Sequence, residues 1–311
     1  MSLRLIHPGL LSLLVDAGRT RWRSLGVPLG GAADRSALAI GNALVGNSPA
    51  APALEFTLAG PTLEAIDPAA CAIFGAPFTC TINGKPGPDA GTTFTLDPGD
   101  VLKIGGTASG ARGYLCVAGG FDAAETLGSC SSLEPLAAGE ELACSASRCE
   151  PRGLGFAALP HDSSLRVLNG PQRDWFDDSF FQHEYEVSPA SNRMGVRLTG
   201  EPLTRSPGEL ASEAVAPGAV QITNDGRPVI LGVDGQTIGG YPKIAHVIRA
   251  DVDRVGRLRP GERVRFIAVN ETDAERLATE RAETIRGWLA RLRAADREPL
   301  RLTETRSRSG S

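Results

Sequence analysis

At 311 residues, 41% of them apolar, the chain has room for two ordinary domains that each bury a core. Its formal charge of −4 at pH 7 supplies no basic field that would displace counterions from phosphates, so nucleic acid is not an expected partner. No run approaches the roughly twenty uninterrupted apolar residues that span a bilayer, so no membrane is expected either.

The opening MSLRLIHPGLLSLLVDAGR is apolar only briefly before Pro8 and Asp16 interrupt it, and no small-residue cleavage site follows. It reads as a strand, and a soluble, cytoplasmic protein is the corresponding expectation. After the turn GVPLGGAADR, Leu38, Leu44 and Val45 fall on helical spacing, which predicts a helix from Ser36 to Val45 capped by Asp34 and stopped by Gly46. Beyond it, 37 glycines and 22 prolines in the chain punctuate short apolar segments such as CAIFG, TFTL, VLKIG, GYLCVAGG, LRVLNG, VILGV and RVRFIAV. That is the rhythm of strands in an all-β barrel or sandwich, not of βαβ units.

The cysteines, Cys71, Cys80, Cys116, Cys130, Cys144 and Cys149, all fall in the first half without a C-x-x-C pair, and read as small buried hydrophobes of a reducing compartment. His7, His161, His183 and His246 are scattered without metal-ligand spacing, so no metal site is expected. From Ser145 to Ser164 the apolar period lapses into Arg, Gly, Pro and Ser, which marks a linker. It divides an N-terminal β-rich subdomain, 1–155, from a C-terminal β-barrel subdomain, 163–285. Leu277, Ile285, Trp288, Leu289 and Leu292 then predict a helix from about Asp273 to about Ala295, packed across a barrel as a strap. Residues 286–311 read as the end of that helix and a mobile tail.

Nucleotide signatures are missing. GGTASG (Gly105 to Gly110) lacks the G-x-G-x-x-G order, and in NGKP (Asn83 to Pro86) Thr79 and Pro86 stand where a phosphate loop needs Gly and Ser or Thr. ATP chemistry involving this chain therefore needs a different cradle or another subunit. G-x-S-x-G is absent too, which argues against a self-sufficient covalent hydrolase.

Three stretches hold more polar groups than turns require. In GVPLGGAADR, Gly30 and Gly31 let the backbone approach another group, and Asp34 reads either as a helix cap or as a substrate contact. Nearby Glu55, in PALEFTLAGPTLE, breaks the apolar alternation of its strand and is either a buried, paired carboxylate or a solvent-face residue. In SNRMGVRLTGEPL, Ser191, Asn192 and Arg193 precede a strand, and Arg193 reads equally as a fork for carboxylate or phosphate and as a surface ion pair. In DGQTIGGYPKIAHV, Gln236 and Thr237 offer amide and hydroxyl groups, Gly239 and Gly240 can aim N–H groups at an oxyanion, and Lys243 adds charge. Tyr241 is held extended by Pro242.

At these residues the chain closely resembles the carboxyltransferase A/B-subdomain family, also called allophanate hydrolase subunit 2 or KipA-like. The blocks LGVPLGGAADRSALAIGNALVGN, ALEFTLAGPTLE, YLCVAGG, TLGSCSS, RVLNGPQ, SNRMGVRLTGEPL, ELASEAVAPGAVQI and VDGQTIGGYPKIAHVI carry the resemblance in order, and it fades after about Glu283. It implies a mainly β fold of two barrel-like, cyclophilin-like domains with a few helices, including one at the C-terminus.

It further implies the C subunit of an ATP-dependent 5-oxoprolinase that opens 5-oxoproline to glutamate, working with a KipI-like B subunit, and with a LamB/YcsF-like A subunit. ATP would be used in the complex, on this chain or another. Catalysis would fall to Lys243, Gln236, Arg193 and Tyr241. The small-molecule substrate would be held by Asn192, Thr237, Gly239, Gly240, Gly31, Asp34 and Glu55. The alternatives are a biotin-dependent carboxyltransferase subunit of urea carboxylase type, or a regulatory module that binds a KipI-like kinase inhibitor. Two departures stand out: Cys130 replaces an arginine common in relatives, and Gly235 replaces a larger polar residue.

Overall fold

The computed structural model describes residues 2–154, 159, 162, 164–205, 208 and 210–295. With 34% strand and 17% helix it is mainly β, as the glycine and proline punctuation predicts. Strands β1 (Ser2–His7), β2 (Ser12–Val15), β3 (Ala53–Thr57), β4 (Thr62–Ala65), β5 (Ala69–Gly75) and β6 (Cys80–Ile82) belong to the N-terminal half. So do β7 (Lys85–Pro86), β8 (Thr93–Leu96), β9 (Val101–Ile104), β10 (Arg112–Val117) and β11 (Glu141–Ala143). They form two sheets, ordered β11-β1-β4-β9-β6-β7 and β2-β3-β10-β5-β8.

Leu3, Leu5, Leu63 and Leu102 from the first sheet meet Leu54, Phe56, Ile73 and Leu115 from the second in one core. The second sheet turns its other face, with Leu13, Val15, Phe74, Tyr114 and Cys116, to helix α1 (Arg35–Leu44). Both of its faces are thus covered, which is why all of RGYLCV in β10 is buried without polar alternation. Asp34 caps α1, its Oδ1 accepting from the Ala37 amide at 3.0 Å, and Gly46 follows the helix at φ 79°.

The C-terminal half contributes β12 (Ser164–Asn169), β13 (Tyr185–Val187), β14 (Gly195–Thr199), β15 (Glu213–Ala214) and β16 (Ala219–Ile222). It continues with β17 (Pro228–Leu231), β18 (Ile238–Gly239), β19 (Lys243–Val247) and β20 (Arg263–Ala268). Seven of these close a barrel in the order β12-β19-β16-β17-β14-β13-β20, with β20 pairing parallel to β12. Closure leaves no unpaired sheet edge. Val196, Leu198, Val220, Ile222, Ile230, Ile244 and Phe266 fill it, together with Phe180 of the short helix α2 (Ser179–Gln182). The remaining strands, β15 and β18, pair with each other as a ribbon. A second short helix, α3 (Val252–Val255), faces the N-terminal half.

The last helix, α4 (Glu271–Ala295), starts two residues before its predicted start and does not serve the barrel alone. Ala274 and Leu277 pack on Leu168, Ile248 and Val269, whereas Ile285, Trp288, Leu289 and Leu292 pack on the α1 cluster. The helix therefore ties the two halves together, and the expected boundary at 285 and 286 falls inside it. The first part of the expected linker lies along β8, where the Thr93 amide donates to the Arg152 carbonyl at 2.8 Å. Linker positions 155–158, 160, 161 and 163 and the tail from 296 lie outside the described residues. Among the described residues, no helix is long and apolar enough to cross a membrane. All six cysteines are free thiols, four of them buried.

Candidate functional site

Two polar systems flank the turn that carries Asn192 and Arg193. The first is buried and charged. Arg193, ahead of β14, sends Nε to Asp234 Oδ2 at 2.7 Å, Nη2 to Asp234 Oδ1 at 3.0 Å and to the Gly31 carbonyl at 2.6 Å, and Nη1 to Glu55 Oε1. Four of its five N–H groups are thus engaged within the chain. Glu55, on β3, also accepts from the Ala33 amide at 2.9 Å and the Tyr114 hydroxyl at 2.8 Å, and Arg112 lies 3.5 Å away. Burial pushes the Glu55 carboxyl up, but the Arg193 and Arg112 charges and the two hydrogen bonds hold it below the usual carboxylate range.

Beside this group, Arg257 grips Asp34 through Nε at 2.5 Å and Nη2 at 3.3 Å. Asp253, beyond α1, accepts from the Ser36 amide at 3.2 Å and from its hydroxyl. Burial, with the Asp34 charge adding to it, pushes the Asp253 carboxyl up. Gly31, Asp34, Glu55 and Arg193 are therefore brought together, as joints of this network.

The second system lies on the outer face of the barrel. Pairing aligns Arg197 (β14) with Val229 (β17), Val229 with Gln221 (β16), and Gln221 with Lys243 (β19), making one outward row across four strands. Asn192, Met194, Gln236 and Tyr241 wall a cavity of about 160 Å³ over this row, with Arg197, Gln221, Thr223 and Val229 in its lining. Two more cavities adjoin it. Gln236, Gly240 and Tyr241 line one of about 460 Å³, and Arg197, Thr223 and Tyr241 line one of about 470 Å³. Tyr241 borders all three.

Of the residues expected to act, Gln236, Tyr241, Asn192 and Gly240 thus border cavities. Asn192 uses Oδ1 to accept from the Met194 amide at 2.9 Å, which fixes the turn. Thr237 is buried, and its carbonyl accepts from the Val215 amide at 2.9 Å. Lys243 is 7% exposed and pairs with Glu213 Oε1 at 2.6 Å, while its amide donates to Gln172 Oε1 at 2.9 Å. Gln172 Nε2 in turn donates to Glu213 Oε1 at 3.0 Å. Lys243 therefore anchors the β15 end of the ribbon and is not part of the lining of the 160 Å³ cavity.

Gly239 sits where the ribbon crosses the row, and a Cβ there would lie 2.9 Å from Gln221 Nε2 and 3.0 Å from Gln236 Nε2. Two carboxamides flank this position, and only glycine leaves them undisturbed. Gly239→Ala is expected to displace these flexible amide ends, weakening ligand binding several-fold while leaving the thermal midpoint within a few degrees. Paired calorimetry and thermal melts check this, and unchanged binding in a folded variant contradicts it.

Met194, Val229 and Leu231 give the lining an apolar floor, and its polar groups are three carboxamides, a threonine hydroxyl, a phenol and one guanidinium. Such donors and acceptors match an amide or urea group and set N–H groups toward an oxygen that gains charge. Among the described residues, no group of three or more His, Cys, Asp or Glu side chains is placed to hold a metal ion.

Reading by sequence missed Gln221, Arg197 and Thr223 in the cavity and Asp234, Arg257 and Arg112 in the network. Gln221 carried a signal, as the polar member of the apolar run AVQI, and Arg197 stands within SNRMGVRLTGEPL. TLGSCSS has a different task. Ser129 and Ser131 hydroxyls each donate to Asp16 Oδ1 at 2.6 Å, and the Cys130 amide donates to Oδ2 at 2.9 Å, locking a turn. Burial and the neighbouring Asp16 push the Cys130 thiol up to about 12, which disfavours its thiolate.

Comparison with known proteins shows the family. The family model for the carboxyltransferase domain, subdomain A and B, matches residues 25–268. The chain is 34% identical over 288 residues to the C subunit of 5-oxoprolinase from Escherichia coli K12, covering 88% of this chain and 93% of that one. The crystal structure of TTHA0988 matches with TM-score 0.77 at 34% identity over 86% of this chain, which spans about half, 55%, of that protein. The crystal structure of the K. lactis urea amidolyase matches with TM-score 0.83 at 28% identity, covering 92% of this chain and 20% of that one.

Proposed function

We propose, for a chain that belongs to the carboxyltransferase domain family of subdomains A and B, that it is the C subunit of an ATP-dependent 5-oxoprolinase, hydrolysing 5-oxo-L-proline to L-glutamate together with the A and B subunits. The observation that carries this reading is the cavity with three carboxamides over the row Arg197, Val229 and Gln221. A lactam presents one N–H and one carbonyl oxygen; Gln236 supplies both a donor and an acceptor, and Gln221, which is buried and gives one Nε2 N–H to the Tyr241 carbonyl at 3.5 Å, retains a second N–H and its own oxygen. Their N–H groups, set beforehand, stabilise negative charge that grows on the lactam oxygen as the ring opens. Tyr241 adds a phenol at the junction of the three cavities.

The described residues do not fit a triphosphate. The start of α1, where a phosphate would be held, is closed by the Asp34 carboxylate and its Arg257 partner. Arg193 is filled by carboxylates, and Lys243 is paired with Glu213. These occupied partners support a reading in which ATP is held by another subunit and this chain holds and polarises the amide.

Met194, Ile238 and Tyr241, on or beside the cavity rim, are 52%, 61% and 38% exposed, which suits closure by a partner protein and exclusion of water. The KipI-like B subunit is the expected occupant, with the LamB/YcsF-like A subunit making up the rest of the complex. The same neutral donors suit urea or the ureido ring of biotin, so a biotin-dependent carboxyltransferase of urea carboxylase type is the second reading.

The test is reconstitution of the purified chain with candidate A and B subunits, measuring ATP- and 5-oxoproline-dependent glutamate release. Gln221→Ala is expected to lower kcat by roughly a hundredfold, the usual effect of removing one oxyanion donor, with the complex intact by gel filtration. Glutamate release untouched by Gln221→Ala and Gln236→Ala would move the chemistry off this chain. Carboxylation of urea by a biotinylated partner, without glutamate release, establishes the second reading. Capture of a KipI-like kinase inhibitor without turnover establishes a regulatory module.

A further inference from the structure

We propose that Arg197 is the carboxylate-recognition residue of the barrel-face site, so that this chain takes an anionic substrate with a carboxylate beside a neutral amide. The inference rests on the 5-oxoprolinase reading and narrows it to the part of the substrate that this subunit selects. Arg197 stands at the open end of the outward row and lines both the 160 Å³ and the 470 Å³ cavities. It is exposed, and among the described residues its guanidinium forms no ion pair.

Its surroundings leave that charge available. Asp225, the carboxylate in the lining of the larger cavity, is taken up by the Thr223 hydroxyl and by Arg227 at 3.7 Å. At the far end of the row, Lys243 has Glu213 at 2.6 Å, so the row holds one neutralised cation and one free cation. Between them stand only Val229 and the Gln221 carboxamide.

The spacing suits a small ring. Arg197 and Gln221 are two strands apart, roughly 9–10 Å between backbones. In this assignment the lactam and its carboxylate bridge the two side chains. The guanidinium fork takes the carboxylate with two parallel N–H bonds, and the carboxamide takes the lactam group. Urea, which is neutral, would leave the fork without a partner.

The test combines turnover and direct binding on the full chain. In the reconstituted complex, Arg197→Gln is expected to raise the KM for 5-oxo-L-proline about tenfold to a hundredfold, with kcat changed far less, and Arg197→Lys to fall between. By calorimetry on the chain alone, the parent is expected to prefer 5-oxo-L-proline over 2-pyrrolidinone, which lacks the carboxylate, and Arg197→Gln to lose that preference. An unchanged KM in an active complex overturns the assignment and leaves the 5-oxoprolinase reading standing. If the parent complex releases no glutamate, that reading fails by itself and calorimetry decides. A preference for the anion that disappears in Arg197→Gln then supports the assignment, and equal affinities for the two lactams overturn it.

Discussion

Arg193→Met is expected to cost about 3–5 kcal/mol of stability, because it leaves Glu55 and Asp234 as buried or nearly buried carboxylates without their common partner. Glu55 is 1% exposed and comes from the N-terminal half, whereas Arg193 and Asp234 come from the C-terminal half, so the loss falls on the joint between them. Chemical denaturation of parent and variant measures it. A loss below about 1 kcal/mol would place Arg193 among surface ion pairs. Changing both partners, Glu55→Gln with Arg193→Met, is expected to recover part of the loss, since the uncompensated charge is then smaller.

The same network sets an acid limit. The Glu55 carboxyl is held below its unfolded range, so its contribution is fully present above about pH 4 and is lost as pH falls through its folded pKa. Asp251 behaves likewise: burial raises its carboxyl, but bonds from Arg166 and the charge of Arg254 outweigh this and lower it. Asp253, raised by burial, works in the opposite sense and contributes less as pH rises through its folded pKa. Denaturation midpoints of the parent are therefore expected to drop below about pH 4, and the drop to be smaller in the Glu55→Gln, Arg193→Met variant.

Gly256→Ala is the second large effect. Gly256 has φ −64° and ψ −19°, which alanine adopts without strain, so any cost is purely steric. A Cβ there would lie 2.3 Å from the Ala33 carbonyl oxygen and 2.6 Å from its carbon, and these are backbone atoms just ahead of α1. The halves must separate locally, which also pulls the Gly256 carbonyl from the Arg112 guanidinium that donates to it. A destabilisation of about 1–3 kcal/mol or more is expected, read as a lower denaturation midpoint. Gly287, in α4, has open space where its Cβ would stand, so Gly287→Ala is expected to stabilise by about 0.5–1 kcal/mol. Equal responses at the two glycines would refute the packing described for α3 against Ala33.

Much of the local structure was legible before any fold was known. The helix after Asp34 was found to within a residue at each end, because a cap, an apolar period and a glycine stop are all local signals. The strand content followed from punctuation, and the run of resembling blocks pointed to the family. The site was legible only in part. DGQTIGGYPKIAHV correctly drew attention to a crowded bend, and its Gln236, Gly240 and Tyr241 do border cavities. The roles of Arg193, Glu55 and Lys243 were not legible, since whether a charged side chain greets a ligand or a carboxylate of its own chain depends on partners far away in sequence. Arg193 and Glu55 are 138 residues apart, and the Lys243 ammonium meets Glu213 of another strand.

By itself the amino-acid order determined what depends on neighbours a few residues away: the caps, the turns, the apolar periods and hence a mainly β chain with a helix at its end. Only the tertiary structure decided which polar groups face each other. Barrel closure placed Arg197, Val229, Gln221 and Lys243 in one row although they come from four separate strands. Docking of the halves drew the buried acids and arginines into one network. The physical reason is that the energy of a buried charge or amide is set by its partners and its loss of water, and both are settled only when distant segments pack.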